Sequence, residues 1–184
     1  MRTATPYGPQ CVRKHALLAA LPPTLLGMLL GAAPLALSAE VEIDRALEMP
    51  ADGLVAVENV AGKVEFIAWD RAEVQVRGEA GDTVEEVEIS STSQGVQVRV
   101  VNRKGERRID GTDLYLRIPE GASVEAETVS ADISVSGSRG DAVILRTVSG
   151  DLQVDPSPRR AELASVSGDV EFDEKDFAAN RARI

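Results

Sequence analysis

Cysteine and histidine are nearly missing from this chain. It has one of each, Cys11 and His15, and both precede residue 40. Residues 40–184 therefore offer no disulfide, no thiol nucleophile, no thiolate or imidazole zinc ligand and no Ser-His-Asp triad. The Ser-x-x-Lys signature and the glycine-rich nucleotide-binding motifs are absent too. Nothing here asks for a cofactor. Aromatics are scarce, and after residue 39 only Phe66, Trp69, Tyr115, Phe172 and Phe177 remain. Two of them, Phe66 and Phe172, fall in apolar columns, which leaves few rings to stack on a sugar. Carboxylate chemistry of the kind that cleaves glycosides is the one enzymatic route left open.

Acidic residues are missing from the first 39 positions. Arg13-Lys-His opens a basic stretch, Ala16 to Leu37 is apolar, and Ala36-Leu37-Ser38-Ala39 supplies small residues at its end. This order predicts a signal peptide over 1–39, cut after Ser38 or Ala39. The alternative is an uncleaved N-terminal membrane anchor. Removing 1–39 takes away Arg2, Arg13 and Lys14, leaving 17 basic against 30 acidic residues, a net charge of −13. So acidic a chain is not built for nucleic acid. No later apolar run is long enough to span a bilayer. The compartment predicted is periplasmic or secreted.

What is present is a phrase said three times: Thr128-Val-Ser-Ala-Asp-Ile, Thr147-Val-Ser-Gly-Asp-Leu and Ser165-Val-Ser-Gly-Asp-Val, with an earlier copy at Asn59-Val-Ala-Gly-Lys-Val. A fixed period of about 18–19 residues marks one unit stacked on its copies. Aligned on the phrase valines Val60, Val129, Val148 and Val166, the flanking positions form apolar columns. Val55, Val124, Val143 and Ala161 make one; Val57, Ala126, Leu145 and Leu163 the next. Beyond the phrase come Val64, Ile133, Leu152 and Val170, then Phe66, Val135, Val154 and Phe172. Between them lie outward polar positions, among them Glu58, Glu65, Glu125, Glu127, Glu162 and Glu171. Such alternation is that of half-buried strands. Each unit reads as strand, tight corner, strand, with the corner valines expected in the core. The column Asn59, Thr128, Thr147 and Ser165 needs hydrogen-bond partners if buried.

The fold class predicted is all-β. It is a repeat β-solenoid, β-helix-like, with coils of about 18–19 residues. A β-sandwich is the alternative, because Ser-Gly-Asp also closes hairpins. Residues 40–184 form one domain, with clear coils at 122–172 and the earlier copy at 53–69. Residues 40–50 lead in, Glu73-Val-Gln-Val-Arg is a strand, and 84–102 form an antiparallel hairpin insertion turning at Thr92-Ser-Gln-Gly. A charged loop follows to Gly111, then a strand from Asp113 stopped by Pro119. By the period a further corner falls near residue 184, and Ala179-Asn-Arg-Ala-Arg-Ile reads as the first strand of another coil. The last edge of such a stack invites self-association with another chain.

Several phrases together carry a resemblance: Val57-Glu-Asn-Val-Ala-Gly-Lys-Val-Glu-Phe, Ala68-Trp-Asp, Leu116-Arg-Ile-Pro-Glu-Gly-Ala and the repeated Val-Ser-Gly-Asp. Over roughly residues 50–175 the chain resembles the bacterial β-strand-repeat family labelled "putative adhesin". The resemblance implies an exported all-β repeat protein and brings no catalytic residues with it.

Three candidate sites follow. Asp132, Asp151 and Asp169 should form a ladder on one edge, either a cation site or simply good corner residues. Arg103, Lys104, Arg107 and Arg108 make the one basic cluster, an anion-docking patch or a solvated loop. The outward glutamates are solvated faces, or else two of them flank a cleft. The function expected is a non-enzymatic exported cell-envelope protein, a β-repeat scaffold or adhesin-like module binding an envelope protein or glycan. The alternative is a carbohydrate-active enzyme on a β-helix, using surface carboxylates. N-terminal sequencing of periplasmic protein is expected to begin at Ala39 or Glu40. A product that retains Arg13 and fractionates with membranes would mean an anchor instead.

Overall fold

A computed structural model describes residues 10–11, 41–155 and 158–172. They are all-β, with no helix among the described residues. Twelve strands appear: β1 (Gln10–Cys11), β2 (Val41–Glu48), β3 (Leu54–Trp69), β4 (Glu73–Ala80), β5 (Val84–Thr92), β6 (Gly95–Asn102), β7 (Thr112–Pro119), β8 (Ser123–Ser136), β9 (Ala142–Ser149), β10 (Leu152–Asp155), β11 (Arg160–Ser167) and β12 (Val170–Phe172). They join in one mixed sheet that does not close.

The long strands β3 and β8 are its spine. They pair in parallel from Leu54↔Ser123 to Ile67↔Ser136, through the corner and out the other side. Later strands add to β8 at the repeat period. In one half β9 joins at Val124↔Val143 and β11 joins β9 at Ala161↔Val143. In the other half β10 joins at Leu152↔Ile133 and β12 joins β10 at Leu152↔Val170. The sequence alignment of the copies is thus the physical register.

The other flank of β3 carries a less visible unit. Its first half pairs in parallel with β6 (Val55↔Val96, Val57↔Val98) and its second half with β7 (Val64↔Leu114, Phe66↔Leu116). The 84–102 hairpin is antiparallel as expected. Its second strand also pairs in parallel with β3, and β7 follows it along the other half of β3. The expected lead-in at 40–50 is also a strand: β2 pairs antiparallel with β4, and β4 with β7. Ile43 and Met49 are buried there and Leu47 packs on the core.

The apolar columns are where the alternation puts them. Val55, Val57, Val64 and Phe66 of β3 are buried, with Val124, Ala126, Ile133 and Val135 of β8 and Val143, Leu145, Leu152 and Val154 beyond. The parity of the buried positions switches within each of the long strands β3 and β8. It is odd through Asn59 and even from Val64; it is even through Thr128 and odd from Ala131. A strand bent at the corner must switch if both arms are to point into one core.

That switch overturns the expectation for the corner valines. Val129 is 48% exposed, Val148 51% and Val166 83%, so they lie outside the core. The last layer is only partly covered. Val170 is half-exposed, and Leu163 and Phe172 rest partly buried against the core. The further coil expected near residue 184 lies outside the described residues.

Two corner features are fixed by the close approach of layers. Gly150 and Gly168 adopt φ of +155° and +145°, and a Cβ on Gly168 would collide with the Gly150 carbonyl. The buried polar column is satisfied. Asn59 donates from Nδ2 to the carbonyls of Ala61 and Thr112 and accepts from Val60 N–H. The Thr128 and Thr147 hydroxyls share a buried hydrogen bond of 2.9 Å.

Leu145→Ala is expected to cost about 2–5 kcal/mol, as for a buried leucine. Val166→Ser should change stability by no more than about 0.5 kcal/mol in dilute solution. Urea melts check both, and comparable losses would mean that the inside and outside of the corner have been exchanged.

Candidate functional surfaces

The outward positions of one half form a charged row across the layers. Register places Glu88, Arg99, Glu58, Glu127 and Arg146 side by side. Arg99 grips Glu58 with two hydrogen bonds of 2.8 and 2.9 Å, and Gln97 adds a third. Arg146 reaches Glu127 at 3.1 Å, Glu162 at 2.9 Å and Glu125 at 3.6 Å. Arg160 meets Glu162 from its other side at 3.0 Å. These groups are roughly half-exposed, so each pair contributes little alone. The row as a whole sets the order of charge on this face.

The carboxylates respond accordingly. Hydrogen bonding to Arg99 pulls the Glu58 carboxyl below its ordinary value of 4.5, against a smaller upward push from partial burial. The Arg146 guanidinium, then Arg160, does the same to Glu162. Arg146 is in turn pushed up by its bonds to Glu162 and Glu127.

Beside this row lies an open groove of about 500 Å³, where β6 runs straight on and β3 turns away. Glu58, Arg99 and Glu127 line it, with Val60, Val101 and Val129. Asn102 stands in its wall, and its Oδ1 is buried without a hydrogen-bond partner among the described residues. The two glutamates brought together here are the pair that a carboxylate mechanism would need. Both are already bonded to arginines.

The aspartate ladder forms as the period predicts. Asp132 Oδ1 accepts from Asp151 N–H at 2.9 Å, and Asp151 Oδ1 accepts from Asp169 N–H at 2.9 Å. Each carboxylate thus ties its corner to the next. The basic cluster sits at a place the sequence does not announce. Arg103, Lys104, Arg107 and Arg108 are exposed on the loop between β6 and β7, and that loop stands where their layer would have its corner. Thr83 anchors it, accepting Arg103 N–H on its carbonyl and Asp110 N–H on its hydroxyl. Arg108 comes within 3.8 Å of Asp110.

Trp69 ends β3 as a half-buried cap. Its Nε1 donates to the Glu73 carbonyl at 2.9 Å, and its ring lies 5.0 Å from the Arg71 guanidinium and 5.8 Å from that of Arg117. No helix among the described residues is long and apolar enough to cross a membrane.

The lowered Glu58 carboxyl gives a pH signature. A group whose folded-state pKa lies below its unfolded one stabilises fully above the unfolded value, near 4.5 here. That contribution fades as pH falls through the folded value. Urea midpoints compared at pH 7 and pH 3.5 should fall less in Glu58→Gln than in the parent. An equal fall would show that the pair with Arg99 carries no linkage.

No family model matches the chain, and no curated protein does. Among solved structures it is similar to a putative cell adhesion protein from Clostridium sporogenes, with a TM-score of 0.47 and 5% identity over 72% of this chain and 100% of that one. It is also similar to a putative adhesin from Bacteroides fragilis, with a TM-score of 0.28 and 11% identity over 73% of this chain and 98% of that one. A putative adhesin from Parabacteroides distasonis gives a TM-score of 0.31 and 9% identity over 72% and 68%. These three structural neighbours are bacterial proteins named for adhesion.

Proposed function

We propose that this chain is a non-enzymatic, exported β-repeat protein of the cell envelope, a scaffold that holds outward faces rigid for binding. Its architecture in this reading is a β-solenoid whose coils are β6–β7, β3, β8, β9–β10 and β11–β12. In-register parallel pairing at the repeat period supports that choice over a sandwich. The leader read from 1–39 supports export to the periplasm or beyond. The partner is an envelope protein or a glycan.

One observation carries the non-enzymatic reading. The two carboxylates that line the groove are each hydrogen-bonded to an arginine, Glu58 to Arg99 at 2.8 and 2.9 Å and Glu127 to Arg146 at 3.1 Å, and the bond to Arg99 pulls Glu58 below its ordinary value. A glycosidase acid needs a carboxyl pushed up, so that it keeps a proton to donate. The aspartate ladder and the basic loop serve as layer-joining and solvated elements in this reading, with no metal assigned to them.

The groove that Glu58 and Glu127 line sets the test. Incubated with a panel of envelope polysaccharides, the protein is expected to retain bound glycan or to bind none, and in either case to release no reducing ends. Release that disappears in Glu58→Gln or Glu127→Gln would make it a carbohydrate-active enzyme.

A further inference from the structure

Three features of the sequence are given no binding role in that reading: the basic cluster, the aspartate ladder and the exposed corner valines. The topology brings all three onto one ridge, the line of corners running along the stack. At one end lies the loop carrying Arg103, Lys104, Arg107 and Arg108, in the corner of the β6–β7 layer. Gly111 there abuts Gly62 of the next corner, and the Thr112 carbonyl accepts from Asn59. Lys63 follows in the β3 layer. Then come Asp132, Asp151 and Asp169, one to a layer, joined by their own hydrogen bonds. The five layers span about 19 Å at the usual strand spacing.

The ridge is thus positive at one end and negative at the other. Alongside runs an apolar row, Val60, Val129, Val148 and Val166, placed side by side by the strand registers. Val129 and Val148 are half-exposed and Val166 more so, a cost that no internal contact offsets. They form a stripe rather than scattered surface residues.

We infer that this ridge is a self-complementary interface, and that its occupant is the same ridge of a second copy, lying antiparallel across a two-fold axis. Only that orientation sets the basic loop of each copy against the aspartates of the other. A parallel arrangement would put like charges together. The β8 layer is the middle one of the five, so the axis passes near Val129. The valine stripes then cover each other about Val129, the basic loop and Lys63 of each copy face Asp169 and Asp151 of the other, and the two Asp132 carboxylates lie nearest the axis. The contact is isologous and closes at two copies. At ordinary salt the Debye length of about 8 Å screens the mutual repulsion of two acidic bodies but not charges in contact. This inference stands apart from the envelope reading, and its failure would leave that reading untouched.

The test uses the protein as recovered from cells, at 0.15 M salt. Sedimentation velocity should show a concentration-dependent monomer–dimer equilibrium. Two variants divide the poles: Arg107→Glu with Arg108→Glu makes both ends acidic, and Asp151→Lys with Asp169→Lys makes both ends basic. Each alone should associate at least tenfold more weakly than the parent. An equimolar mixture of the two should recover the dimer, because each end then meets its opposite. The arginine variant changes an exposed loop only. It must weaken association by itself even if the aspartate variant, which loses a layer-joining bond, proves too unstable to use. Val129→Ser should weaken association while leaving the melting curve of dilute protein in place. A parent that stays monomeric at 100 µM would overturn the inference. So would variants that associate as the parent does, or species larger than a dimer.

Discussion

The rest of the structure depends on the pairing of β3 with β8. Thirteen residue pairs hold the two strands in one register, before the corner and after it. A sheet that stopped at the corner would leave two unrelated halves. Because the same two strands cross it together, the inward positions of both halves are fixed by a single alignment. Val55 and Val124 are set in one half by the same register that sets Phe66 and Val135 in the other. β6 and β7 add to one flank of this spine, and β9 and β10 add to the other.

The corner makes the opposite demand. The chain must turn sharply while keeping its backbone polar groups bonded and its layers in contact. Small residues and short polar side chains meet that demand. Glycine takes the positive-φ positions where the next layer's carbonyl leaves no room for a Cβ. Asn59, Thr128 and Thr147 supply hydrogen bonds inside the turn, and the aspartates supply them outside. A partly satisfied column here would be worse than an apolar one, since a buried unpaired hydroxyl costs more than its bond returns.

How much of this could be read from the chain follows from these two demands. The arms were legible because burial there alternates with period two, and the apolar columns of three copies are buried where alignment puts them. Thr128 and Thr147 were legible because a buried hydroxyl must find a partner. The corner valines were not. Their identity from copy to copy resembles that of a core column, but a bend that switches parity turns them to solvent. A β-branched residue can be there for its preference for extended backbone as much as for its surface. The layer made of β6 and β7 escaped notice because the basic loop interrupts it, so no repeated phrase marks its corner. β2 is hidden by weak alternation: Val41, Ile43 and Leu47 keep the period, but the charged Arg45 occupies one of its apolar positions and Ala46 falls out of phase. The pairing of Glu58 with Arg99 joins residues far apart in sequence, and no local pattern encodes it.

The spacing of the pairings divides assembly into two tempos. The partners of β3 all lie far down the chain. Val55 must wait for Val96 of β6 and then for Val124 of β8, and Val64 must wait for Leu114 of β7. Each of these closures sacrifices the entropy of a long loop before any contact returns it. From β8 onward every addition is local. Val124, Val143 and Ala161 pair in turn, each one repeat after the last. A chain emerging from its N-terminus therefore holds β3 with one flank unpaired until β8 arrives. The layers after it then close in quick succession, each on an edge already formed. The slow step and the aggregation-prone interval fall together, in the stretch of synthesis between Trp69 and Ser123.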